Sequence, residues 1–227
     1  IERAQRKVEE NNFGIRKRLL EYDDVMNSQR EVIYKKRRHA LLGERIGVDI
    51  ANNMYDVCEA LVEEHKEAND LEGFRMDVLK YFAVDFDIKE EDFQKTSANN
   101  LTERLYKEVR DTFSRKTETI AKQAFPVIKN VFEQRGEMFK NIVVPFTDGK
   151  RAYNVVANLE KTYKSEGEEL IRAYEKSIML AHIDDAWKEH LREMDDLKQS
   201  VQNATYEQKD PLLIYKFESF NLFKSMV

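Results

Sequence analysis

Residues 3–41 contain no proline, and their apolar positions recur at helical spacing: Ile15, Leu19, Tyr22, Val25, Met26, Ile33 and Leu41 keep to one stripe. Only Gly14 interrupts the run, at about 1 kcal/mol relative to alanine. One helix over this span is roughly 60 Å long at 1.5 Å per residue. That exceeds the diameter of a compact domain of this chain's size, so the segment has to serve several neighbours as a spine. Seven glycines and three prolines among 227 residues extend the same bias to the rest. The expected fold class is mainly α.

After Gly43 the chain turns acidic. Residues 1–40 hold eleven Lys/Arg against seven Asp/Glu, whereas 41–100 hold six against fifteen. The only tight basic cluster is Lys35-Lys36-Arg37-Arg38. Four consecutive helical residues point around the whole cylinder, so this reads as a solvated helix end suited to the C-terminal dipole, not a nucleic-acid face. No run approaches the roughly 20 apolar residues that cross a bilayer, and no leader pattern opens the chain. With the lone Cys58, read as a core residue, these features predict a soluble, cytoplasmic protein. The Ile-Glu-Arg-Ala start and the apolar end at Met226-Val227 lead us to expect a fragment.

Shorter helices are expected at 47–68 and 74–83, then an irregular stretch over 85–97 with a helical turn at 90–94. A helix capped by Asn99 or Asn100 is expected to run to about Gln123, and another to start at Pro126 and end at Phe139. Residues 141–157, "NIVVPFTDGKRAYNVVA", place β-branched and aromatic residues on either side of Asp148-Gly149, which predicts a β-hairpin with Pro145 on an edge. From about Glu166 a long apolar stripe runs from Leu170 through Trp187 to Val201, with Trp187 assigned to core packing. Asp210-Pro211 then restarts a helix, an N-cap followed by proline at the first position, carrying Ile214, Phe217, Phe220 and Phe223. Two amphipathic helices joined by a short loop predict an antiparallel hairpin, with "SVQNATYEQKDP" (200–211) at its crown.

Catalytic chemistry finds no support. Gly149-Lys150 is the only Gly-Lys pair and falls in the hairpin turn, not between a strand and a helix, so no phosphate-binding loop is present. His182 with Asp185, or His190 with Glu193, could each offer two metal ligands on one face, but a solvated ion-pair face is the simpler reading. Asp23-Asp24, Asp184-Asp185 and Asp195-Asp196 are adjacent pairs about 100° apart on a helix and cannot face one substrate. The sequons at Asn100 and Asn203 are read as chance. An independent adaptor whose acidic 41–100 region docks a basic partner is the alternative; a helical-bundle metalloenzyme is a third. Taken alone, the residues leave Tyr206 open between an incidental loop position and an exposed contact.

"NNFGIRKRLLEYDDVMNSQREVIY" (11–34) resembles the long scaffold helix of the SecA family, the bacterial preprotein translocase ATPases, and "DDAWKEHLREMDDLKQSVQNATYEQKDPLLIYKFESFNLFKSMV" (184–227) is similar to that family's two-helix finger and the segment after it. The resemblance implies a helical scaffold over 1–44 and 168–227. The middle, 45–167, is expected by position to be the helical wing, with the 141–157 hairpin as an insertion. It implies no cofactor here, ATP and magnesium in the parent, and a parent that pushes unfolded preprotein through the SecY channel at the inner face of the plasma membrane. It further implies contact between the long helix and the parent's motor domains, and no nucleic-acid substrate. The family's tip tyrosine falls on Tyr206, between Thr205 and Glu207, as the preprotein contact. Gly14 stands where the family usually has aspartate, so one scaffold-to-motor contact of the family is expected to be missing or replaced here.

Overall fold

The computed structural model describes residues 2–43, 45–147, 149–150, 152–201 and 210–227. Eight helices and one two-stranded sheet are seen among them: α1 (Glu2–Leu42), α2 (Ile46–Ala68), α3 (Leu71–Phe82), α4 (Glu90–Lys95), α5 (Ala98–Arg135), β1 (Asn141–Thr147), β2 (Ala152–Asn158), α6 (Leu159–Lys164), α7 (Glu168–Ser200) and α8 (Pro211–Met226). The protein is mainly α. The chain forms two compact units, Ile1–Leu42 with Ile178–Val227, and Gly43–Ser177.

In the 43–177 unit, α2, α3, α4 and the first half of α5 close on Val62, Phe74, Val78, Phe93, Leu101 and Leu105, all fully buried or nearly so. Cys58 sits among them with no exposed surface. The α2–α3 corner is made by Asn69, in the left-handed conformation as the α2 cap, and by Asp70, whose carboxylate accepts the Gly73 N–H at 2.9 Å. A second core forms around Ile128, Val155, Ala157, Leu159 and Leu170, where the second half of α5, the sheet, α6 and the start of α7 meet.

The structure corrects the expected break in α5. Ser97 caps it, accepting the Asn100 N–H, and the helix continues through Pro126 to Arg135 rather than ending at Gln123 and restarting. An internal proline costs about 3 kcal/mol. Here the turns on both sides are packed, Leu101, Leu105 and Val109 into the first core and Ile128 into the second, which offsets the penalty. The six-residue α6 is also absent from the sequence reading; Asn158 caps it by accepting the Lys161 N–H at 2.9 Å.

The hairpin forms as expected, β1 antiparallel to β2 from Asn141↔Asn158 to Thr147↔Ala152. Ile142, Val144 and Phe146 pack inward with Val155 and Ala157. In the turn between α6 and α7, Gly167 has φ +99°, and a Cβ there would lie 2.9 Å from the Ala121 carbonyl oxygen, so glycine lets α5 approach this turn.

Candidate functional site

The expected contact residues Thr205, Tyr206 and Glu207 lie outside the described residues, as does the sequon at Asn203. The residues that carry the two ends of that segment are described. Asp210 accepts the Leu212 N–H at 3.0 Å with Pro211 opening α8, and Val201 at the end of α7 is buried. Val201, Met194 and Tyr215 form one core with Tyr22, Val25, Met26, Leu197, Ile214 and Leu222, so α1, α7 and α8 share a seam.

Polar contacts fix the register of that seam. Arg37 meets Asp184, Gln29 meets His190, and the Lys198 ammonium lies 5.9 Å from the centre of the Tyr22 ring. Residue numbers rise on α7 as they fall on α1, so the two helices are antiparallel. Tyr22 packs on Tyr215 at 4.7 Å and Gln29 reaches Ser219, so α8 runs parallel to α1. It therefore runs antiparallel to α7, and His190 lies 5.7 Å from Phe223.

At the centre of the seam the Gln29 amide works in both directions. Its Nε2 donates to the Ser219 carbonyl at 3.0 Å, and its Oε1 accepts from His190 Nε2 at 2.8 Å. His190 is 1% exposed, which corrects its reading as part of a solvated ion-pair face. Burial lowers its pKa from the ordinary value, with Glu193 pulling weakly the other way, so the ring is neutral with its proton on Nε2. Its Nδ1 has no partner among the described residues. On the same seam, desolvation pushes the Tyr215 hydroxyl up to about 12, helped by Asp195, Asp23 and Tyr22.

Towards the end of α1, the Arg37 guanidinium grips both oxygens of Asp184, at 2.7 and 3.0 Å. This hydrogen bond holds the Asp184 carboxyl below its ordinary pKa. Arg37 and Asp184 border an open groove of ≈ 380 Å³ with Ile33, Tyr34, Leu41 and Trp187. Trp187 is half-buried on this groove and 5.5 Å from His190, rather than inside the core cluster. Arg37 is thus a paired residue and not merely a solvated helix end.

Two further expectations need correcting. Ile15, Leu19 and Leu41 of the α1 stripe are exposed, as is every described residue from Glu2 to Leu20. On α8 the buried positions are Tyr215 and Ser219, while Phe217 and Phe220 face outward at 65% and 62% exposure. Gln29 and Ser219 were missed by the sequence reading. Gln29 does lie on the stripe of Tyr22, Val25, Met26 and Ile33, and a polar side chain on such a stripe is the available signal for a buried polar link.

The described residues hold no group of three or more His, Cys, Asp or Glu able to bind a metal. No helix among them is long and apolar enough to cross a membrane. The site carries positioned hydrogen bonds that tie three helices together.

A family model described as the SecA wing and scaffold domain matches residues 1–227. The chain is 56% identical over 227 residues to the protein translocase subunit SecA of Porphyromonas gingivalis, 56% to that of Parabacteroides distasonis and 57% to that of Bacteroides thetaiotaomicron. Each match covers 100% of this chain and 20% of the relative, so the chain spans about a fifth of the length of these curated relatives. The matched residues include the 141–157 hairpin. With its spine helix, its three-helix seam and this match over its whole length, the chain belongs to the SecA wing and scaffold domain family.

Proposed function

We propose that this chain is the scaffold-and-wing part of an ATP-driven preprotein translocase, coupling motor domains elsewhere in the parent to movement of unfolded preprotein through the SecY channel. In this reading 1–44 and 168–227 are the scaffold, 45–167 the wing, and α7 with α8 the finger whose tip, Thr205-Tyr206-Glu207, meets the preprotein. The single observation that carries it is the seam. α7 and α8, antiparallel to each other, are held on α1 by the Gln29, His190 and Ser219 contacts, which makes a stiff mount for the segment between them. A tyrosine there offers apolar area and a hydroxyl with few rotatable bonds, suited to chains of varied sequence.

The exposed Val8, Phe13, Ile15, Leu19 and Leu20 of α1 give the motor domains an apolar surface to cover. ATP and magnesium belong to those domains. Gly149-Lys150 lies between two strands and not at the start of a helix, which supports assigning the nucleotide to those domains. The expected location is the cytoplasmic side of the plasma membrane, peripheral to the channel. The test is Tyr206→Ala in the full-length parent. Transport into inverted membrane vesicles is expected to fall at least tenfold, with hydrolysis of ATP in the absence of preprotein unaltered. Unimpaired transport would sink the tip assignment.

A further inference from the structure

We propose that the outer edge of β2 captures an extended, unstructured polypeptide as a third strand. The sheet has only two strands among the described residues, so each strand has one edge without a neighbouring strand. The Leu159 N–H donates to the Lys140 carbonyl at 3.0 Å, one step beyond the Asn141↔Asn158 pair. Hydrogen-bonded pairs alternate with non-bonded ones along an antiparallel ladder. Hence 142↔157, 144↔155 and 146↔153 bond each other, while the backbone groups of 143, 145, 154 and 156 point away from the hairpin. The Asn158 carbonyl shows the same phase, since it faces outward and accepts the Thr162 hydroxyl.

The two edges are therefore unequal. Pro145 puts its missing N–H in the middle of the outer edge of β1 and blocks it, at no loss to the ladder. The edge of β2 has no such block. The outward N–H and C=O groups of Asn154 and Val156 have no hydrogen-bond partner among the described residues. Neither strand carries a charged residue, in a chain that is 36% charged. Lysine, proline and bulges are the usual protections of an exposed edge, and β2 has none of the three. On the outer face the pair Val143↔Val156 is exposed, at 61% and 57%, and offers an apolar rest for a neighbouring strand's side chains.

The occupant follows from size and chemistry. A seven-residue edge is about 24 Å long, and a strip about 10 Å wide along it presents only a few hundred Å². A stable folded partner or a second copy buries about 1,200–2,000 Å². A flexible chain needs no such area, because backbone hydrogen bonds supply the recognition and tolerate many sequences. The choice of an unfolded polypeptide rests on the translocase reading above; the openness of the edge does not.

The experiment measures binding of reduced, carboxymethylated lactalbumin, a permanently unfolded chain, to this protein by fluorescence anisotropy, with hydrogen exchange read at the Asn154 and Val156 amides. Slowed exchange at both amides is expected on binding. Asn154→Pro, which mirrors Pro145, is expected to weaken binding at least tenfold, and Asn154→Ala, which keeps the N–H, to leave it unchanged. Val156→Lys puts a charge on an already exposed position and keeps the fold, so it serves if the proline variant does not fold, and is expected to weaken binding similarly. The proposal is overturned by absence of binding to the wild-type chain, by unchanged affinity in the folded variants, or by equal loss with Asn154→Ala. It is also overturned if the edge variants abolish only a self-association of the chain. None of these outcomes involves Tyr206, so loss of the edge proposal and loss of the tip assignment remain distinguishable.

Discussion

Arg37 and Asp184, 147 residues apart, meet through two parallel hydrogen bonds of 2.7 and 3.0 Å. Both side chains are nearly half exposed, at 42% and 49%, so water and salt screen the pair, and it serves more to align α1 with α7 than to stabilise them. Because the Asp184 pKa is depressed on folding, its contribution is present above the ordinary carboxylate value of 3.8 and disappears as the pH falls through the lower folded value. Asp184→Asn is thus expected to melt below wild type at pH 7. The gap should close under more acidic conditions and shrink in 1 M salt, which thermal unfolding followed by circular dichroism would measure.

Gln29 links all three helices of the seam through its contacts to Ser219 and His190. Gln29→Ala removes an acceptor from His190 and leaves a cavity between three helices, with an expected loss of about 2–4 kcal/mol in urea unfolding. Combined with His190→Ala in a double-mutant cycle, the coupling should reach at least about 1 kcal/mol. Additive effects would mean that the 2.8 Å contact is incidental.

His190 gives the seam a pH dependence of definite sign. Its folded pKa is lowered from 6.5 by burial, so the unfolded chain binds its proton more readily. The contribution of His190 is fully present above pH 6.5 and is expected to decline as the pH falls below it, levelling off beneath the folded value. His190→Gln should flatten that part of the profile. An identical slope in wild type and variant between pH 7 and 5 would assign the effect to another group.

Two glycines predict opposite outcomes of the same substitution. A Cβ at Gly14 meets nothing within 4 Å on an exposed helix, so Gly14→Ala is expected to add about 0.5–1 kcal/mol. At Gly167 the left-handed backbone and the Ala121 carbonyl both oppose a side chain, and Gly167→Ala is expected to cost about 1–3 kcal/mol. Denaturant midpoints of the two variants make the comparison.

The thiol of Cys58 is fully buried, and desolvation pushes it up to about 12. It should fail to react with a disulfide reagent in native buffer at pH 8 and titrate fully in denaturant. Rapid native labelling would show that the α2–α5 core opens.

Most helices are legible in the sequence because their apolar spacing and caps agree, as at Asp210-Pro211, and the hairpin because Asp148-Gly149 separates two uncharged runs. What escapes is decided at a distance. Pro126 argues locally for a break, and only the two cores that α5 serves at once keep it whole. The α8 aromatics Phe217 and Phe220 look like core by size, yet the face that meets α1 is chosen by Tyr215 against Tyr22 and by Ser219 against Gln29. A glutamine on an apolar stripe reads as an interruption until its partners, 161 and 190 residues away, are known.

The asymmetry of the hairpin also limits its valence. A ribbon with two open edges can lengthen without end, each added strand exposing a fresh one. With Pro145 on one side, strands can add only at β2, and the proline-bearing flank stays closed however many are added. One proline nitrogen therefore confines to a single side any growth from strands that carry no charge to keep their neighbours away.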